Sequence, residues 1–153
     1  MTIEDDIAFL ERVPMLSLLG RQAIRILAIG AESKYVHRGE LLYTAGEPAD
    51  CGYVVQEGSF RLSLGNEHKP DDDHVVGPAT LLGELALIAE TTRPMTAIAA
   101  EPSTVIRISR SLFLKMLEGF PEAARRLRDT ISARTDQMSR EMDTVREWLH
   151  RQR

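Results

Sequence analysis

Cys51 is the only cysteine in 153 residues, which excludes an internal disulfide and leaves no thiol cluster for a structural metal. The same scarcity fits a reducing cytoplasm, and Cys51 reads as a small residue of the interior. Histidine is nearly as rare. His37, His68, His74 and His150 never form a close His-x-His pair with a following glutamate, so a metal-dependent jelly-roll enzyme would have to assemble its ligands from scattered positions. No Ser-His-Asp or Cys-His arrangement stands out, and neither an enzyme nor a metal is expected. The chain has no run of about 18 apolar residues, and its first residues, MTIEDDIAFLERV, are acidic without the basic stretch of a secretory signal. A cytoplasmic protein without a membrane span is expected.

Basic side chains are also in short supply. The net charge is −4, and residues 1–120 hold 11 basic against 17 acidic side chains, while 121–153 hold 8 arginines against 6 acids. An acidic body is poorly suited to neutralising phosphates over a broad surface, so nucleic-acid binding by the body is not expected. The three consecutive aspartates of Lys69-Pro70-Asp71-Asp72-Asp73 supply calcium poorly, because that ion takes about six to eight oxygens from alternating positions. A solvated hairpin tip is the expected use.

What is present suits one domain with a genuine core: 43% of residues are apolar and 27% charged. The first 33 residues read as helical, with Ile3, Ile7 and Leu10 at helical spacing, a break at Pro14, a second helix through Ile24, Leu27 and Ala28, and a stop at Gly30. From Tyr35 to Ser109 the pattern changes to short β-type runs: 35–37, 40–43, 52–56, 59–64, 75–76, 95–100 and 104–109. Turn residues separate them, among them Gly39, Gly46, Gly58 and Gly65. An α+β fold is expected, a jelly roll or β-roll of about eight strands behind N-terminal helices.

After Ser111 the chain returns to helix. Leu112, Met116 and Leu117 mark a short one, broken at Gly119-Phe120-Pro121, and a last helix runs from Pro121 almost to the end. Ile131, Thr135, Met138, Met142, Val145 and Leu149 fall at alternating spacings of four and three, a heptad seam. A helix of about 30 residues spans roughly 45 Å, further than a domain this size covers. Pairing with a second chain is therefore expected over packing back on the domain. The chain divides into 1–120, the roll with its helices, and 121–153, a dimerisation and signalling helix of the same domain.

One short segment carries concentrated chemistry. Gly83-Glu84-Leu85-Ala86-Leu87-Ile88 is followed by Arg93, nine residues after Glu84. A helix opening near Gly83 leaves its first N–H groups without intrahelical partners and favours an anion in front of them. Arg93 brings a planar fork of donors for phosphate oxygens, and Glu84 accepts from a sugar hydroxyl. Together these suit a phosphorylated ribose.

Three stretches in order give this segment a context. Arg38-Gly39-Glu40-Leu41-Leu42-Tyr43-Thr44-Ala45-Gly46-Glu47-Pro48-Ala49-Asp50 resembles the first strand and tight turn of the cyclic nucleotide-binding domain family. Tyr53-Val54-Val55-Gln56-Glu57-Gly58-Ser59 resembles that family's central hairpin, and Gly83 through Arg93 resembles its phosphate-binding cassette. The likeness leans toward the bacterial cAMP receptor protein branch. It implies cAMP or cGMP as ligand, with Glu84 on the ribose 2′-hydroxyl and Arg93 on the cyclic phosphate. Backbone amides near Leu85 and Ala86 would complete the anion site, and Gly83 would let the backbone approach. Leu82, Val54, Leu62 and Ala97 would be apolar walls. Two positions depart from the pattern. Pro94 stands where the family usually has Ala, Ser or Thr, and proline has no N–H to give, so that contact would be missing or replaced by Thr92 or Thr96. Met138 stands where the bacterial branch offers adenine a hydroxyl, which leaves the base open. The chain ends at about the point where a helix-turn-helix domain would begin, so a stand-alone module that does not itself bind DNA is expected. The alternative is a degenerate, ligand-free module acting through dimerisation and protein contacts.

Overall fold

The structure, a computed structural model, describes residues 2–63, 74–131 and 133. The expected terminal seam beyond Ile131, Met138 included, lies outside the described residues.

Helix α1 (Ile3–Leu10) starts where Thr2 and Asp5 satisfy each other's amides: the Thr2 hydroxyl accepts from Asp5 N at 3.3 Å, and the Asp5 carboxylate accepts from Thr2 N at 3.1 Å. A 3-10 turn at Leu16–Leu18 leads to α2 (Arg21–Gly30), whose buried stripe is Ala23, Ile24 and Leu27. Strand β1 (Glu32–Val36) follows at once. The first strand thus begins three residues before the expected start at Tyr35, since exposed Glu32 and Ser33 carry no pattern of either kind.

The β region forms two four-stranded antiparallel sheets. One has the order β1, β10 (Ser103–Ser109), β4 (Cys51–Glu57), β7 (Leu81–Leu82); the other has β2 (Leu41–Tyr43), β9 (Thr96–Ala99), β5 (Phe60–Ser63), β6 (His74–Val76). A two-stranded piece joins β3 (Pro48–Ala49) to β8 (Thr91–Thr92). The jelly roll is as expected, with ten strands among the described residues, three more than the seven runs read from the sequence. The additional β3, β7 and β8 are two residues each, too short to show any periodicity.

Strand β4 divides the interior. Cys51, Tyr53 and Val55 point into the roll, where they join Tyr43, Phe60, Leu82, Ala97 and Val105, while Val54 points the other way into a second core with Leu87, Ile106 and Ile108. That second core is closed by α1, α2 and α3 (Arg110–Gly119), the last through Phe113 and Met116. A helix α4 opens at 121 and is described as far as 131; Ala123 and Leu127 are buried in the helix-side core. Ile131, first residue of the expected seam, packs against that same core. Arg126 Nε donates to Leu18 O at 2.8 Å, which ties α4 to the N-terminal helices. No helix among the described residues is long and apolar enough to cross a membrane.

Candidate functional site

The Gly83–Ile88 stretch folds as one 3-10 turn over Glu84–Leu87, with Gly83 in the left-handed region at φ +82°. Two demands fall on Gly83 together. A side chain is disfavoured at that φ, and a Cβ there would lie 2.5 Å from Arg93 Nη1. Glycine is what allows the guanidinium to lie against the start of the turn.

Arg93 is held at its backbone by the turn after β2: Arg93 N donates to Glu47 O at 2.8 Å, and Gly46 N donates to Arg93 O at 2.8 Å. Its side chain enters the roll and is only 5% exposed. The guanidinium carbon lies 4.5 Å from the centre of the Tyr43 ring and 5.5 Å from that of Tyr53. The two rings are stacked at 22° with centroids 6.2 Å apart. Nη2 donates to Cys51 Sγ at 3.3 Å, while Nη1 is buried without a hydrogen-bond partner among the described residues. Among those residues no carboxylate pairs with Arg93 either. Ring faces attract the cation, yet they do not replace an anion, and an unsatisfied buried donor carries a penalty.

The cage acts on its own members. Burial raises the Tyr43 phenol above its usual value, against the pull of the Arg93 charge. Burial, then the Cys51 thiol, pushes Tyr53 up to about 12. Both rings stay neutral and keep their electron-rich faces for the guanidinium.

Next to Arg93 lies a cavity of about 290 Å³. Gly83, Glu84, Leu85 and Ala86 line it from the turn, and Thr92, Arg93 and Pro94 from the end of β8 and the link to β9. Ala49 and Thr91, neither singled out from the sequence, complete its wall through the β3–β8 pair. Glu84 is half-buried at the head of the turn, and Leu85 is exposed at its apex.

The cyclic nucleotide-binding domain model matches residues 33–120. The chain belongs to the cyclic nucleotide-binding domain family. It is 38% identical to a cyclic nucleotide-binding-like protein from Brucella abortus of known structure, with a TM-score of 0.65 over 74% of this chain and 98% of that one. It is 30% identical over 89% of its length to an uncharacterised NTE family protein of Mycobacterium tuberculosis, of which it spans 24%. The regulatory domain of Toxoplasma gondii PKA, solved with cAMP, shares the fold at a TM-score of 0.70 and 23% identity, over 88% of this chain and 50% of that one.

Within this cyclic nucleotide-binding domain several expected site residues stand elsewhere. Val54 is not a cavity wall: it faces the helix-side core, because its neighbours Tyr53 and Val55 take the roll face. Leu82 and Ala97 are buried in the roll core and Leu62 is half-buried against it; none of the three lines the cavity. The Thr96 hydroxyl accepts from Ala45 N at 2.9 Å and so fastens the turn that holds Arg93. The Ala86 amide donates to Gly83 O at 3.1 Å within the 3-10 turn. The aromatic cage was missed from the sequence. Its signal was faint: two of only three tyrosines fall at roll-facing positions, one of them two residues from Cys51.

Proposed function

We propose that this domain is a cytoplasmic, non-enzymatic sensor that binds a cyclic purine mononucleotide, cAMP or cGMP, and signals to a protein partner through its C-terminal helix. The buried Arg93 guanidinium, which among the described residues has no carboxylate partner and leaves Nη1 unsatisfied beside a cavity, carries the reading. An anionic cyclic phosphate supplies the missing charge and acceptors. Glu84, on the same cavity, accepts from the ribose 2′-hydroxyl, and Gly83, Leu85, Ala86 and Thr92 shape the phosphate end. The Toxoplasma domain of the same fold was solved with cAMP, which supports a cyclic nucleotide as the ligand class.

Pro94 offers no N–H, and the Ala86 amide is engaged within its turn, so affinity is expected at about the micromolar level or weaker. The same two observations favour the second reading, a ligand-free interaction module that dimerises through 121–153. Calorimetric titration with cAMP, cGMP and a cyclic dinucleotide, with Arg93→Ala as control, decides between them. Heat with a mononucleotide that vanishes in Arg93→Ala is the expected result; absence of heat with every ligand selects the second reading.

A further inference from the structure

Arg110 is not among the cavity's lining residues, yet it is bonded to both of its walls. It is the first residue of α3, the helix that Ser109 caps by accepting from Leu112 N at 3.1 Å. Its side chain donates from Nε to Ala86 O at 2.8 Å, on the 3-10 turn, and from Nη2 to Ala49 O, on β3. Its backbone N donates to Asp50 O at 2.8 Å. Ala49 and Ala86 both line the cavity, each from a different element.

We propose that Arg110 is the positioning residue that sets the separation of the two cavity walls and transmits their movement to α3. The inference rests on the ligand reading above. A guanidinium suits the task because its donors diverge from one rigid plane, so the two carbonyls are held at a fixed distance and angle. A lysine ammonium keeps the charge but has a single flexible donor group, and it cannot impose that geometry. Behind the clamp, Phe113 and Met116 of α3 share the helix-side core with Leu87 of the turn and Leu127 of α4. A shift of the 3-10 turn thus reaches α3 by two routes, apolar packing at Leu87 and the polar fork of Arg110. Only the polar fork also spans to β3, so it reports the gap between the walls where packing alone does not.

The test uses the full chain with Arg110→Lys and Arg110→Gln, beside Arg93→Ala. Calorimetry gives the cAMP affinity, and amide hydrogen exchange follows residues 84–87 and 111–117 with and without cAMP. In the wild type, cAMP is expected to slow exchange in both segments. In Arg110→Lys, binding is expected to weaken about tenfold, the equivalent of one hydrogen bond from a charged donor. At saturating cAMP the 84–87 segment is expected to regain protection while 111–117 does not. A purely structural residue would raise exchange throughout the domain and leave the two segments responding together. Affinity within twofold of wild type, or full protection of 111–117 in both variants, overturns the proposal. Should the wild type give no heat with cAMP or cGMP, the ligand reading fails by itself. Exchange of 84–87 without ligand then judges the clamp: faster in Arg110→Lys upholds it, unchanged overturns it.

Discussion

Replacing Arg93 by methionine separates a binding residue from a structural one, because the two roles predict opposite signs for stability. As a staple, the arginine would hold the turn to the roll, and its loss would destabilise by the several kcal/mol typical of broken buried networks. The geometry points the other way. Arg93 is 5% exposed, has no carboxylate partner among the described residues and leaves Nη1 unsatisfied. The substitution relieves an unsatisfied buried donor, about 1–3 kcal/mol, and also removes the desolvation penalty of the charge. It forfeits the two ring contacts, about 1–2 kcal/mol each, and the bond to Cys51 Sγ, about 1 kcal/mol. Methionine is unbranched and flexible enough to occupy the space beside Tyr43 and Tyr53, and its sulfur regains about 0.3–1.5 kcal/mol against the rings. The contact terms together run from a loss of about 4 to a gain of about 2 kcal/mol, and the relieved desolvation penalty, on the order of several kcal/mol, carries the total to no net loss or a stabilisation. The melting temperature is therefore expected to hold or to rise, by about 2–4 °C for each kcal/mol gained in a domain of this size. Differential scanning calorimetry and urea denaturation measure it, and cyclic nucleotide binding is expected to disappear in the same protein. A loss of more than about 3 kcal/mol would refute the reasoning and make Arg93 a structural staple.

Gly83→Ala is expected to lower stability by about 1–3 kcal/mol, since it combines a left-handed alanine with a Cβ 2.5 Å from Arg93 Nη1; an unchanged urea midpoint would contradict the described seating of the guanidinium. Tyr53 holds its proton more tightly folded, at about 12, than at the ordinary value of 10.0. Its contribution is therefore intact below about pH 10 and is lost as pH rises from there toward 12. The urea midpoint of the wild type should fall more steeply over that window than that of Tyr53→Phe, and parallel curves would count against the buried phenol. The heptad spacing from Ile131 to Leu149 predicts a parallel homodimer, and a strictly monomeric mass by light scattering at high micromolar concentration would count against it.

Much of the architecture was legible because its signals are long or chemically distinctive. Ile7 and Leu10 of α1, and Ile24 and Leu27 of α2, mark their helices by spacing. Gly83, Glu84 and Arg93 recur by chance at that spacing, and it is the stretches 38–50 and 53–59 ahead of them that made the trio legible. Val54 was misplaced for a physical reason: from Cys51 to Val55 every residue of β4 is buried, so the strand has no polar face from which to read direction. The cage around Arg93 joins residues 43, 51, 53 and 93, and Arg110 meets carbonyls at 49 and 86. Backbone carbonyls have no letter of their own in a sequence, so the clamp could emerge only from the fold.

Strand β4, with β10 beside it, is a partition one backbone thick between two rooms: the arginine cage on one side and the helices on the other. Neighbouring residues such as Tyr53 and Val54 therefore answer to different tasks while sharing a peptide bond. A bulkier side chain introduced to reshape the ligand side bends the same backbone that seats the helices. If the proposed ligand reading holds, retuning that ligand will alter how the helices rest, and variants selected for a new ligand should arrive with second-site changes in Phe113, Met116 or Leu127.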